Sequence, residues 1–225
     1  MCFSAPASLA ASGVLGVSGI GILRMPKKKS EIPLSLFPII FAMHQLIEGI
    51  LWLSITGVIS GTYKTGAIYA YAFIAFVFWP IFVPFSMYLI EPGRLRRKII
   101  ILCQIIGLYI GISFLIGILR GTVDAIVVSH SISYQISPAP PMSLAPYLIA
   151  VAIPFLVASN KRLIVLGIAL LIACGTAAYM ACSNTFPSLW CFYSAILSLI
   201  IYLYFRYQAK AAVKNNAKQH LQHST

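Results

Sequence analysis

The chain has 225 residues, 60% of them hydrophobic and only 9% charged, with a mean hydropathy of +0.92. A water-soluble domain of this size needs more polar surface, so composition excludes an ordinary soluble enzyme. The formal net charge of +12 would suggest nucleic acid in a soluble protein. Here the cations sit in short clusters between apolar runs, where they act as topology signals, and no nucleic-acid partner is expected.

The apolar runs approach the ~20 residues a helix needs to cross hydrocarbon. The first predicted span is Ala5 to Leu23. No charged segment precedes it, so it is read as a retained helix rather than a cleaved signal. Its Ser8, Ser12 and Gly16 recur at four-residue spacing, a close-packing signal. The second span is Pro33 to Ile55. The third, Ala67 to Leu89, contains FWPIFVP, where Pro80 and Pro84 each remove a backbone donor and free a carbonyl one turn earlier, predicting a kink. The fourth is Ile99 to Leu119, with Gly107 and Gly111 again four apart. Arg120 to Ser143 is the longest loop; it carries Asp124, His130, Tyr134 and SPAPPM, and is read as an extended, proline-stiffened cap. The fifth segment, Leu144 to Ala158, is short and holds Pro146 and Pro154, so it is either a tilted span or re-entrant. Leu163 to Met180 and Leu189 to Phe205 complete the set, and 208–225 is a basic tail. The predicted fold is all-α, a polytopic membrane bundle of seven transmembrane helices over residues 1–207.

With seven crossings, all of the sixteen cations except Lys64 and Arg120 fall on one side. Cations are retained on the cytoplasmic face during insertion, which places the N-terminus outside and the C-terminus in the cytoplasm. If the fifth segment did not cross, the cations would divide equally between the faces, so the charge pattern argues for seven. The expected location is a bacterial cytoplasmic (inner) membrane, with the lipid bilayer as the main partner.

In the second span, FAMHQLIEGILW sets His44, Gln45, Glu48 and Trp52 along one helical stripe. Glu48 is the acidic residue placed within a span. A charge there is costly unless it is protonated, paired or facing water, which marks a functional site by default. A buried packing network would leave the same pattern. Trp79 from the third span and His130 and Tyr134 from the outer loop complete a possible polar pocket. His44 and Glu48, one turn apart, could also give two ligands to a transition metal, with His130 and Cys2 as further candidates. No tight ligand cluster such as H-E-x-x-H or paired C-x-x-C occurs, nor any phosphate-binding, dinucleotide or nucleophile-elbow motif, and no cofactor is assigned. Cys103 and Cys174 fall in spans, whereas Cys182 and Cys191 could bridge across the last outer loop in an oxidising compartment. Tyr69, Tyr71, Trp190 and Tyr207 read as interfacial aromatics.

The stretches MCFSAPAS, HQLIEGILW, FWPIFVP and SLWCFYSAILS together resemble a bacterial family of multi-spanning membrane proteins that begin MCFSA and have no established function. Glu48, Gly49, Trp52, Trp79, Pro80, Trp190 and Cys191 carry the resemblance. The chain departs from it at His44, where the family implies Gln, so a mechanism that requires histidine there is not implied. Three functions fit the residues. One is small-solute or lipid binding or transport through a polar pocket around Glu48. The second is a metal-dependent intramembrane hydrolase using His44, Glu48, His130 and Cys2, and the third a sensory or receptor-like scaffold. Residue types alone do not decide whether the chain is an enzyme.

Overall fold

A backbone surrounded by apolar side chains has to satisfy its own hydrogen bonds, and helices do so within a single segment. The computed structural model describes residues 4–128, 131–137, 144–180 and 197–210. Its helices follow the apolar runs: α1 (Ala5–Leu23), α2 (Lys29–Ile55), α3 (Thr62–Ile90), α4 (Arg94–Arg120), α5 (Leu144–Leu156), α6 (Lys161–Met180) and α7 (197–210). The first four are long and apolar enough to cross a membrane. Helices α2, α3 and α4 begin before the predicted spans, because a helix runs on into polar turns where hydropathy no longer reports it.

One element departs from the all-α expectation. The long loop after α4 folds as a β-hairpin, with β1 (Thr122–Val128) antiparallel to β2 (Ser131–Ser137) and Ala125 opposite Tyr134. Alternation explains it: Val123, Ala125, Ile132 and Tyr134 turn inward and are buried, while Asp124 and Gln135 face out. The prolines of the loop begin only at Pro138, after β2 has ended.

Helix α1 lies along α2 through small residues. Ser8 is fully buried, the Ser12 hydroxyl donates to the Ala42 carbonyl at 2.8 Å, and a side chain on Gly19 would collide with Ile39. Helix α3 is interrupted by a π-helical stretch, Phe73–Phe78, in which the Trp79 N–H reaches back five residues to the Ile74 carbonyl. In that register the next donor would serve Ala75, but the next residue is Pro80, which has no N–H. The Tyr147 hydroxyl of α5 donates to the Ala75 carbonyl in its place, at 2.8 Å. Pro84 likewise leaves the Pro80 carbonyl without its helical donor, and α4 closes over it so tightly that a Cβ on Gly107 would lie on that oxygen. The Gln104 amide donates to the neighbouring Ile81 carbonyl at 3.2 Å.

The two ends of the bundle differ in character. At the end rich in Arg and Lys, Glu31 accepts from the Tyr204 hydroxyl at 2.8 Å, the Gln208 amide at 3.1 Å and the Lys28 N–H at 2.9 Å, joining the start of α2 to α7. Glu91, between α3 and α4, accepts from the Ser159 N–H at 2.7 Å, the Ser159 hydroxyl at 2.5 Å and the Gly93 N–H at 2.9 Å, joining the α3–α4 and α5–α6 turns. Arg96 donates to the carbonyls of Val157 and Ala158 at the end of α5. The opposite end carries the hairpin.

Overpacking at a closed backbone contact costs about 1–3 kcal/mol. Gly107→Ala is therefore expected to lower the Tm measured in detergent, whereas Gly13→Ala, whose Cβ would meet nothing within 4 Å, leaves it unchanged or slightly raised. A second prediction concerns Glu91. Burial pushes its carboxyl up, but the Ser159 hydroxyl and N–H, the Gly93 N–H and the Arg96 charge outweigh burial and hold it below the ordinary value of 4.5. A carboxyl depressed in the folded state contributes stability above pH 4.5 that is lost as pH falls through the lower folded value. Melting curves collected across that acid range should drop for the wild type. Glu91→Gln should start lower at neutral pH and show a shallower acid decline.

Candidate functional site

Helix α2 is polar inward and apolar outward. His44, Gln45 and Glu48 are 1%, 1% and 0% exposed, while Met43 and Leu46, on the other side of the same turn, are 54% and 45% exposed. Such an inversion suits an apolar surrounding, where the bundle interior is the better solvent for polar groups. The stripe sits between two apolar cores. One contains Phe37, Phe41, Trp79, Met87 and Phe155, and the other contains Leu51, Trp52, Tyr71, Ile132 and Tyr134. Gly49 lets α1 approach the stripe, since a Cβ there would stand 2.7 Å from the Leu9 side chain.

On the hairpin side, the stripe is roofed by aromatic rings. The His44 ring lies 4.1 Å from that of Tyr71, centroid to centroid, and donates a hydrogen bond to the Tyr71 carbonyl. Tyr71 in turn stacks on Tyr134 of β2 at 4.1 Å with the planes 2° apart. The sequence reading made Tyr71 an interfacial residue. It is 0% exposed and links α2 to the hairpin. The missed signal was its position on the face of α3 that continues into the buried Ala75 and Val77, a relation visible only once the helix is oriented.

Of the predicted site residues, Trp52 lies one turn beyond Glu48 in the hairpin-side core, and Tyr134 reaches the stripe through Tyr71. Trp79 belongs to the other core, stacked on Phe41 at 4.3 Å and edge-on to Phe37 at 5.1 Å. Asp124 faces away from the bundle on the exposed side of β1. His130, Cys2, Cys182 and Cys191 lie outside the described residues, as does the tail beyond residue 210. Cys103 and Cys174 are buried free thiols. Among the described residues no group of three or more His, Cys, Asp or Glu could hold a metal ion; His44 and Glu48 are a pair.

Below the stripe a small apolar cleft of about 20 Å³ lies between α2, α3, α5, α6 and α7, lined by Phe37, Phe41, Trp79 and Tyr147 among others; Glu48 is not in its lining.

A sequence profile for a family of unknown function, DUF6629, matches residues 1–217, which includes every element above. The chain belongs to DUF6629. The match covers the polar stripe, the π-interrupted α3 and the hairpin alike, so they all lie within the family's domain. No curated protein and no solved structure matches the chain.

A stacked aromatic pair contributes about 0.5–1.5 kcal/mol beyond its buried area. Tyr134→Ala should therefore raise amide hydrogen exchange across 122–137 roughly tenfold, while leaving the central turns of α4 unchanged. Equal exchange in the variant and the wild type would mean that the stack does not hold the hairpin to the bundle.

Proposed function

We propose that this member of DUF6629 is a seven-span integral protein of a bacterial cytoplasmic membrane, N-terminus outside and C-terminus inside, that binds or passes a small solute or lipid around Glu48. The asymmetry of the cations supports this orientation. On it, the hairpin faces the external side and the Glu31 and Glu91 junctions face the cytoplasm. The observation that carries the functional reading is the complete burial of an acid, a histidine and an amide side by side, pointing inward from a helix whose outward face is apolar.

Packing alone is a poor reason for such a stripe. Apolar residues of similar volume would hold α1, α2 and α3 together without the desolvation cost of three polar groups. A carboxyl that can be neutral when the site is closed and ionised when a cation or donor-rich solute arrives has a use that Gln or Leu cannot supply. His44, fixed by the Tyr71 carbonyl, presents its other ring nitrogen as a second polar group, and the Tyr71–Tyr134 roof is the element that would have to move to admit a ligand from the hairpin side.

The decisive comparison is Glu48→Gln, which keeps size and hydrogen bonding but removes the ionisable group. A panel of small organic solutes and phospholipids, screened by thermal shift on purified protein, should stabilise the wild type by several degrees for at least one class and lose that effect in Glu48→Gln at unchanged ligand-free Tm. Identical shifts in both proteins would assign the stripe to packing. Elemental mass spectrometry of the same samples adds a separate outcome: near-stoichiometric zinc, iron or copper in the wild type, lost in Glu48→Gln, would replace solute binding by metal-dependent hydrolysis as the working function.

A further inference from the structure

Strand β1 is an open edge. The sheet has two strands, and among the described residues no backbone group outside the hairpin bonds to Thr122–Val128. Edges of this kind are usually guarded by Lys, Pro, a bulge or a covering element. Here the pairing with β2 runs unbroken from Thr122 opposite Ser137 to Val128 opposite Ser131, so no bulge turns the edge away. The strand TVDAIVV has neither Lys nor Pro; Asp124 is its one charge, and all its other residues except Ala125 are β-branched. It ends in Ile126, Val127 and Val128, which are 46%, 43% and 37% exposed, while Ile132 and Ser133 on the facing strand are buried. Because side chains alternate, these three make the outer end of β1 apolar on both faces. Lipid is a poor cover for such an edge, since hydrocarbon leaves its N–H and C=O groups unsatisfied. A further strand satisfies the backbone and buries the side chains together.

We propose that β1 pairs antiparallel with β1 of a second copy of this chain, joining two hairpins into one four-stranded sheet. A two-fold interface needs a patch that complements itself. Centred on Val127, the pairing sets Ile126 opposite the partner's Val128 and Val127 opposite the partner's Val127, so the exposed apolar run covers its own copy. The two Asp124 carboxylates, three residues from the axis on either side, then stand about 20 Å apart and do not repel. Two copies in one membrane share an orientation, which requires the axis to run along the membrane normal. An antiparallel strand pair has its two-fold perpendicular to the sheet, and this sheet roofs the bundle end with Val123, Ala125 and Tyr134 turned toward it. That step rests on the membrane reading proposed above; ligand binding at Glu48 plays no part in it.

The test is oxidative cross-linking of the full chain in native membranes, read on non-reducing gels with the wild type as background for its own cysteines. Val127→Cys puts two thiols at the axis, at the roughly 4.5–5.5 Å Cα spacing of facing strand residues, which a disulfide spans. Asp124→Cys puts them about 20 Å apart. A covalent dimer in Val127→Cys, with none above background in Asp124→Cys, is expected. Light scattering of the detergent-purified protein gives a second readout: Ile126→Lys, a charge at an exposed edge position, should convert dimer to monomer. Glu48→Gln should dimerise as the wild type does, so failure here leaves the Glu48 reading to its own test. Equal cross-linking of both cysteine variants, or none in either, overturns the proposal. So does a dimer that Ile126→Lys leaves intact. A monomeric wild type, with Val127→Trp fluorescence quenched by brominated phospholipid in vesicles, overturns it too and assigns the edge to the bilayer surface.

Discussion

Backbone hydrogen bonding in an apolar environment is the constraint on which this architecture turns. Helix α3 carries Pro80 and Pro84 in its apolar middle, so two of its carbonyls cannot be served from within the helix. The chain answers from neighbouring elements. The Tyr147 hydroxyl on α5 takes the Ala75 carbonyl, and Gly107 on α4 comes close enough for the backbones to meet at the Pro80 carbonyl. These contacts set the mutual positions of α3, α4 and α5, and they require glycine at one point and tyrosine at another. The π-helical stretch that opens α3's second half belongs to the same solution, since it determines which carbonyl Pro80 leaves open.

The polar stripe on α2 depends on that arrangement. Once α3 is held against α4 and α5, its Tyr71 side and carbonyl face α2, and His44 is oriented by contact with both. The stripe then separates two apolar cores instead of lying at a surface. This placement gives the two sides different properties. The hairpin side is capped by stacked tyrosines, whereas the other side is braced by the buried Glu31 and Glu91 junctions at the basic end.

Much of the helical layout was legible because a twenty-residue apolar run is a strong, local signal. The Ser8, Ser12, Gly16 and Gly107, Gly111 spacings likewise pointed to contacts that the helices make. The hairpin was legible in principle: TVDAIVV is rich in β-branched residues and SISYQIS alternates, but the neighbouring SPAPPM is a strong signal for extended loop. The π-helical stretch has no such signature, because FIAFVF is apolar throughout and its register is decided by packing around the prolines. Similarly, periodicity put His44, Gln45, Glu48 and Trp52 on one face, yet could not say that Tyr71 would cover them or that Trp79 would turn toward a different core. Those facts concern pairs of helices, and a single helix's pattern contains only half of each pair.

The four acidic residues make the same point from the side of charge. In a chain with so few acids, each has to justify the cost of its placement. Glu31 and Glu91 do so by accepting several donors at turns of the basic end, where cations are near and water is close. Asp124 stays on the exposed face of the hairpin. Glu48 is placed differently from all three: it is fully buried in the middle of an apolar helix, between two apolar cores. Fold stability accounts for the first two and solvation for the third. Glu48 stands in the least solvated place of the four, and it is on that desolvation cost that the proposed use of its carboxyl rests.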